Sequence, residues 1–403
     1  MRKFLLALFL IILWAHPLQA QEHMESLRPG WRPVQAENLL HWIRRADDEA
    51  ITIPEKTAND LRGAIDSGDA QRLTRTADAA ALRLLLAYHG KCCGPRLPGN
   101  WHISRTVTVE ELRGRIDAAL AAGQIDLMLR ANRPRHPHYL ALAAAYGSET
   151  DGPRREWLAL NLARWRSLAV PAQGRYLIVN AAAQEMTLWE DRTQLASWRV
   201  IVGKKSTPTP VFSADVTGVV LNPWWEIPRS IAAEGIAAFV RRNPAAAQAR
   251  GYFYSNGRYR QAPGDNNALG RMKLVMPNRF SVFLHDTSNR ELFARDQRIL
   301  SHGCVRVDRA LNFAAALLEG TEWTRERIYE AITTDVTQAA DLAQKVPLFV
   351  AYFTAEPDGA GGVRQLPDVY GRDGRNALGP ARLTKSYALP CEDRLPPELA
   401  GGN

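Results

Sequence analysis

Along the chain the spacing of apolar positions changes once. From Glu22 to about Tyr146 they recur at intervals of three and four, as in "ENLLHWIRRADDEA" and "EELRGRIDAALAAG". That period predicts amphipathic helices, with Gly123 at a C-cap. "GKCCGPRLPGNWHI" (Gly90 to Ile103) reads as a Gly/Pro-rich connection, and "RANRPRHPHYLALAAAYG" leads into a further helix. "GSETDGP" marks a boundary, followed by a linking helix around "REWLALNLARWRSL". From Gly174 the period shortens to two. "GRYLIVN", "EMTLWED", "ASWRVIVGK", "GVVLNPWW", "SVFLHD" and "VPLFVAYFTA" read as strands separated by turn residues. A polar, Ala-rich stretch from about Arg229 to Gly264 predicts a helical insertion. "DRALNFAAALLEG" predicts a helix capped by Asp308, and "DGAGG" (Asp358 to Gly362) a hairpin turn. The expected fold class is α+β multidomain. A helical region (21–150) and a linker helix (151–173) precede a mainly β domain (174–376) carrying the insertion (229–264), and an irregular tail follows (377–403).

Composition changes this picture at the N-terminus. Arg2 and Lys3 precede twelve apolar residues, Phe4 to Ala15, and then Pro17 and a small Ala20. Twelve residues are too few for a hydrocarbon core of roughly 30 Å, so residues 1–20 read as a cleaved signal peptide with no stable membrane span afterwards. The formal charge of +9 falls to +7 without Arg2 and Lys3. The charge favours a polyanionic surface without choosing among nucleic acid, anionic lipid and an anionic wall polymer; the basic residues are scattered and no nucleic-acid motif is present, and no nucleic-acid partner is expected. Lys204-Lys205 reads as a solvated turn.

Four cysteines, Cys92, Cys93, Cys304 and Cys391, belong to an exported chain in which disulfides persist. Adjacent Cys92 and Cys93 are not expected to bridge each other, and pairing of one of them with Cys391 stays open. Neither their spacing nor that of His102, His136 and His138 makes a metal site.

The chemistry concentrates in "FLHDTSNRELFARDQRILSHGCVRV", Phe283 to Val307. A thiol near its ordinary pKa is a few per cent ionised at neutral pH, so a nucleophilic Cys304 needs an imidazole and backbone donors. His285 ends a strand, the stretch from Asp286 to Gly303 reads as a long loop, and Gly303 allows a tight turn just before Cys304. If Cys304 to Val307 is extended, Cys304 and Arg306 share a face, where a guanidinium suits a substrate carboxylate. The competing reading is a packed cysteine beside two ordinary histidines, with Arg306 in a surface ion pair. Residues alone leave both open.

The His-to-Cys spacing and "SHGCVRV" resemble the signature of the L,D-transpeptidase catalytic domain (YkuD type). "IVGKKSTPTPVFS", "LNPWWEIPRSIA", "NALGRMKLVMPN", "FLHDT" and "DVYGRD" are similar, in the same order, to segments of its larger Gram-negative branch. "LPGNWHI" and "RPRHPHYLAL" resemble that branch's helical scaffold domain. The small wall-binding module often found in that branch has no room between Tyr146 and Arg164. The resemblance implies Cys304 as nucleophile and His285 as base and acid, with the Asp286 backbone orienting the imidazole. His302, Gly303 and Cys304 would shape the oxyanion pocket, with backbone N–H groups as donors. Arg306 would contact the peptide stem, and the 229–264 insertion would cap the donor site; Ser301 and Trp225 are further candidate substrate contacts, and the alternative for the Trp224-Trp225 pair is core packing at a cap hinge. It further implies a periplasmic enzyme that joins peptidoglycan stem peptides, a tetrapeptide donor and a diamino-acid acceptor, in 3→3 cross-links, without metal or organic cofactor and with carbapenems as inhibitors. A hydrolase or carboxypeptidase, a protein-to-wall attachment enzyme, or a non-catalytic wall-binding scaffold are the alternatives.

Overall fold

The computed structural model describes residues 30–374. The expected signal peptide, the 377–403 tail and Cys391 lie outside the described residues. The chain divides into two units, one of residues up to 44, 54–85 and 107–133, the other of residues 45–53, 86–106 and 134 onward.

The first unit is helical. It holds α1 (Pro33–Arg44), α2 (Glu55–Asp66), most of α3 (Ala70–Tyr88), α4 (Val109–Ala122) and α5 (Ile125–Asn132). Their apolar stripes meet through Leu39, Leu40, Leu61, Leu112, Ile116 and Leu129, all buried. Local chemistry sets the ends of α4. Thr108 accepts from the Glu111 N–H while Glu111 accepts from the Thr108 N–H, and Gly123 closes the helix at φ +68°.

The second unit takes in segments that the apolar pattern assigned to the helical region. α6 (Pro137–Ser148) and α7 (Gly152–Ser167) pack with the sheet. The expected linker α7 is buried on every side from Trp157 to Ser167. His136 stacks on Trp165 at 4.2 Å and meets Trp189 at 4.4 Å, and Trp165 stacks on Phe353 at 4.3 Å. Arg164, wholly buried, pairs with Asp373 at 2.8 Å, and Asn161 and Thr354 complete the network. The 86–106 loop joins the same unit, with Trp101 bridging Val211 and donating to Ser167. Within that loop the structure corrects the expectation for adjacent cysteines. Cys92 and Cys93 form a disulfide with each other, and the left-handed Cys93 (φ +62°) turns both side chains to one side.

The strands are β1 (Arg175–Asn180), β2 (Glu185–Glu190), β3 (Thr193–Gly203), β4 (Phe212–Leu221), β8 (Met272–Val275), β9 (Leu284–His285), β10 (Ile299–Ser301), β11 (Val305–Val307) and β12 (Gln338–Ala351). Their order is β10-β3-β11-β9-β8-β4-β12-β1-β2, and β3 also pairs with β2. The first half of β3 bonds β2 and its second half bonds β11 and β10, so the sheet closes on that strand. Closure leaves few free edges and a packed interior. Trp198 of β3 and Phe313 of the helix Ala310–Leu317, both buried, meet at 5.0 Å.

Three expectations change. The insertion begins with short helical turns from Arg229 to Ala249 and ends in a β-hairpin, β6 (Tyr252–Ser255) and β7 (Arg258–Gln261), which β5 (Trp225–Ile227) extends. Asn256-Gly257, both at positive φ, makes the two-residue turn. Asp308 caps no helix. Its carboxylate pairs with Arg199 at 2.9 Å, and left-handed Arg309 starts the helix one residue later. The stretch between Asp286 and Gly303, expected as a long loop, contains a 3-10 turn (Arg290–Ala294) and β10.

Candidate active site

Two short parallel strands bring the candidate residues together. Val305 of β11 pairs with Leu284 of β9, and Arg306 pairs with His285. Residues opposite one another on paired strands point to one face, so Arg306 and His285 share it. Cys304, two positions before Arg306, falls on that face by alternation. The sheet thus groups a thiol, an imidazole and a guanidinium drawn from positions nineteen and two residues apart.

The imidazole is fixed at one nitrogen. His285 Nδ1 donates to the Asp286 carbonyl, and this leaves the lone pair on Nε2. Asp286 is itself held, with its N–H on Met272 O at 2.9 Å and its carboxylate accepting from the Arg271 N–H at 2.8 Å and from Arg290 at 2.9 Å. Gly270 makes the approach possible. It has φ +64°, and a Cβ there would stand 2.5 Å from the Asp286 carboxylate. Burial, and then the Arg306 charge, push the His285 pKa down to about 4.

Cys304 is a free, half-buried thiol. Burial raises its pKa, while a hydrogen bond from the Phe283 main chain and the charge of Arg306 oppose the rise. The resting pair is therefore neutral thiol and neutral imidazole at neutral pH. Arg306 makes no ion pair among the described residues, and its buried Nε has no partner. The acids of the 286–296 stretch, which the competing reading assigned to it, do not reach it. Asp286 is taken by Arg290.

The turn before Cys304 is closed from within. Ser301, expected to touch substrate, is 2% exposed, and its hydroxyl accepts from the Gly303 N–H at 3.0 Å while donating to the Cys304 carbonyl. The Gly303 N–H, expected among the oxyanion donors, is thus engaged in the turn. Gly303 supplies φ +115° there, and its carbonyl accepts from Thr209 at 2.9 Å. His302 turns to other partners. Its Nε2 lies 2.9 Å from Glu234 of the insertion and 3.2 Å from Lys204. Trp225 is half-buried in β5 opposite Gln261, and neighbouring Trp224 is 36% exposed with Arg260 4.6 Å over its ring.

Sequence reasoning missed Glu234, Thr209 and Gly270, and it read Lys204 as a solvated turn residue. Thr209 carried a signal, lying between two prolines in "TPTP" beside a strand end. Glu234 carried none, because only the folded insertion brings it to His302.

Residues 174–328 match the model of the L,D-transpeptidase catalytic domain, YkuD. A Haemophilus influenzae protein named "Putative L,D-transpeptidase" is 32% identical over 237 residues, which are 54% of this chain and 48% of that protein. The match spans about half the length of that relative. Among solved structures, an L,D-transpeptidase from Mycobacterium smegmatis is 12% identical, with 44% of this chain and 58% of that one covered and a TM-score of 0.24. The catalytic domain of the E. faecium L,D-transpeptidase acylated by ertapenem is 13% identical, with 45% and 99% covered and a TM-score of 0.24. At these scores the structural likenesses carry no argument.

Proposed function

We propose that the chain is, through residues 174–328, a member of the L,D-transpeptidase catalytic-domain family whose model those residues match, and that it cross-links peptidoglycan stem peptides through Cys304. The observation that carries the reading is the pairing of Arg306 with His285 across parallel strands, which sets thiol, imidazole and guanidinium on one face.

In this reading, His285 Nε2 takes the Cys304 proton as the sulfur attacks the carbonyl of the third residue of a tetrapeptide donor. The charge developing on that oxygen is met by main-chain N–H groups of the 302–304 turn other than that of Gly303. The tetrahedral intermediate expels the terminal D-residue, whose amine is protonated by His285, and a thioester remains. The side-chain amine of a second stem's diamino acid then attacks, passing its proton to His285. That proton returns to the thiolate on release, and the product is a 3→3 cross-link. The low pKa of His285 suits a base that is unprotonated at rest. Arg306, without an ion pair among the described residues, suits a substrate carboxylate. The reaction takes place in the periplasm, reached through the N-terminal segment, and carbapenems acylate the same sulfur.

Incubation with a disaccharide tetrapeptide, read by mass spectrometry, tests the reading. Cross-linked dimer supports it, tripeptide alone makes the protein a hydrolase, and no turnover by a folded protein makes it a scaffold. A carbapenem adduct should appear on wild type and be absent from Cys304→Ala and His285→Ala, whereas His302→Ala retains part of it. Equal retention in the two histidine variants sinks the assignment of His285.

A further inference from the structure

The 89–105 loop and the C-terminal end of α7 line a half-open cavity of about 360 Å³, within the size range of small-ligand sites. All of its lining lies in the second unit, and none of it belongs to β9 or β11. The lining is one-sided in charge, with Lys91, Arg96, Arg105 and Arg166 facing it together with His89, and no carboxylate among the lining residues. Arg166 is buried and held by the Glu49 and Ala50 carbonyls, and Arg105 contacts His89 Nδ1 at 3.1 Å. Lys91 and Arg96 take part in no ion pair among the described residues, and Arg96 is exposed at the rim. Trp101 supplies an apolar wall, fixed by its bond to Ser167. The loop is stiffened by two prolines and the Cys92–Cys93 bridge, so little ordering is required on binding.

We propose that this cavity is a second, non-catalytic binding site for a carboxylate-rich peptide, the stem of the wall polymer. The identity of the peptide rests on the function proposed above. A cationic cavity without acids selects an anion. Lys91 and Arg96, the two lining cations without an ion pair among the described residues, stand at separate points of the loop, which suits two carboxylates on one ligand better than a single small anion. The tryptophan wall favours an organic ligand over inorganic phosphate, and bare glycan lacks the charge. Such a site would hold the enzyme on its polymer.

Calorimetry with the full-chain Cys304→Ala protein and a soluble tetrapeptide stem tests the site. Two binding events per chain are expected. Lys91→Glu with Arg96→Glu should remove one of them and cut cosedimentation with purified peptidoglycan at least tenfold, with an unchanged thermal midpoint. Arg96→Gln alone, should the double variant misfold, is expected to weaken the same event severalfold. Identical isotherms in wild type and variants overturn the proposal. So does retention of wall binding after the peptides are stripped from the glycan, or a charge-dependent loss seen only with phosphatidylglycerol vesicles or inorganic phosphate. Carbapenem labelling of Cys304 reports on the proposed function alone. Labelling with no second site defeats this inference, and a second site without labelling defeats the other.

Discussion

Ser301 stands three residues before Cys304, and its hydroxyl serves the Gly303 N–H and the Cys304 carbonyl together. A Ser/Thr at this position is readable from the motif, but its task is not. The spacing allows either a substrate contact or a closed turn, and burial decides for the turn. Ser301→Ala leaves a buried donor and acceptor without partners, a cost of about 1–3 kcal/mol. Denaturant titration should show that loss, and carbapenem labelling of Cys304 should slow by roughly tenfold as the turn loosens. A variant labelled at the wild-type rate would remove Ser301 from the positioning of the thiol. The His285 imidazole shows the same division. Its place at a strand end is evident in the sequence, whereas its fixed tautomer depends on an Asp286 carbonyl that Gly270 lets the backbone reach.

Elements governed by nearest neighbours follow their sequence closely. The Thr108–Glu111 capping box and Gly123 bound α4 as the apolar period predicts, because every interaction lies within one turn. Asp308 fails as a cap because Arg199, 109 residues away, claims its carboxylate. The insertion's hairpin had a signal in Asn256-Gly257 between aromatic residues, and the preceding Ala-rich run outweighed it in the helical reading. α7 is the strongest case. The sequence reads it as a linker helix, yet its Arg164 is wholly buried because Asp373, Asn161 and Thr354 meet it there. Breaking such a pair from one side leaves an uncompensated charge. Asp373→Ala should therefore cost about 3–5 kcal/mol in chemical denaturation. A loss below about 1 kcal/mol, the scale of a surface pair, would show that the network does not anchor α7.

Across the second unit, burial holds three histidines neutral. His136 is pushed down to about 2, His138 to about 4 and His285 to about 4, desolvation being the first cause for each. An unfolded histidine titrates near 6.5, so between about pH 6.5 and 5 the unfolded chain binds protons that the folded one refuses. Stability from these rings is complete above about pH 6.5 and is lost as pH falls towards 4, with uptake near pH 5 of about three protons from them on unfolding. Thermal melts across that window should fall steeply, and His136→Phe with His138→Phe should flatten the fall by about two-thirds. A flat profile in wild type would mean that the rings are not buried as neutral groups. By itself the sequence determined the helical beginning and the strand-rich remainder, the spacing of His285 and Cys304, and the family they resemble. Each of these depends on periodicity or on residues close in the chain. Tertiary structure alone decided that α6, α7 and the cysteine loop join the sheet, that Cys92 bridges Cys93, that Arg306 meets no acid among the described residues, and that Glu234 meets His302. Those outcomes turn on which distant groups compete for one buried partner, and contacts across the fold settle that competition.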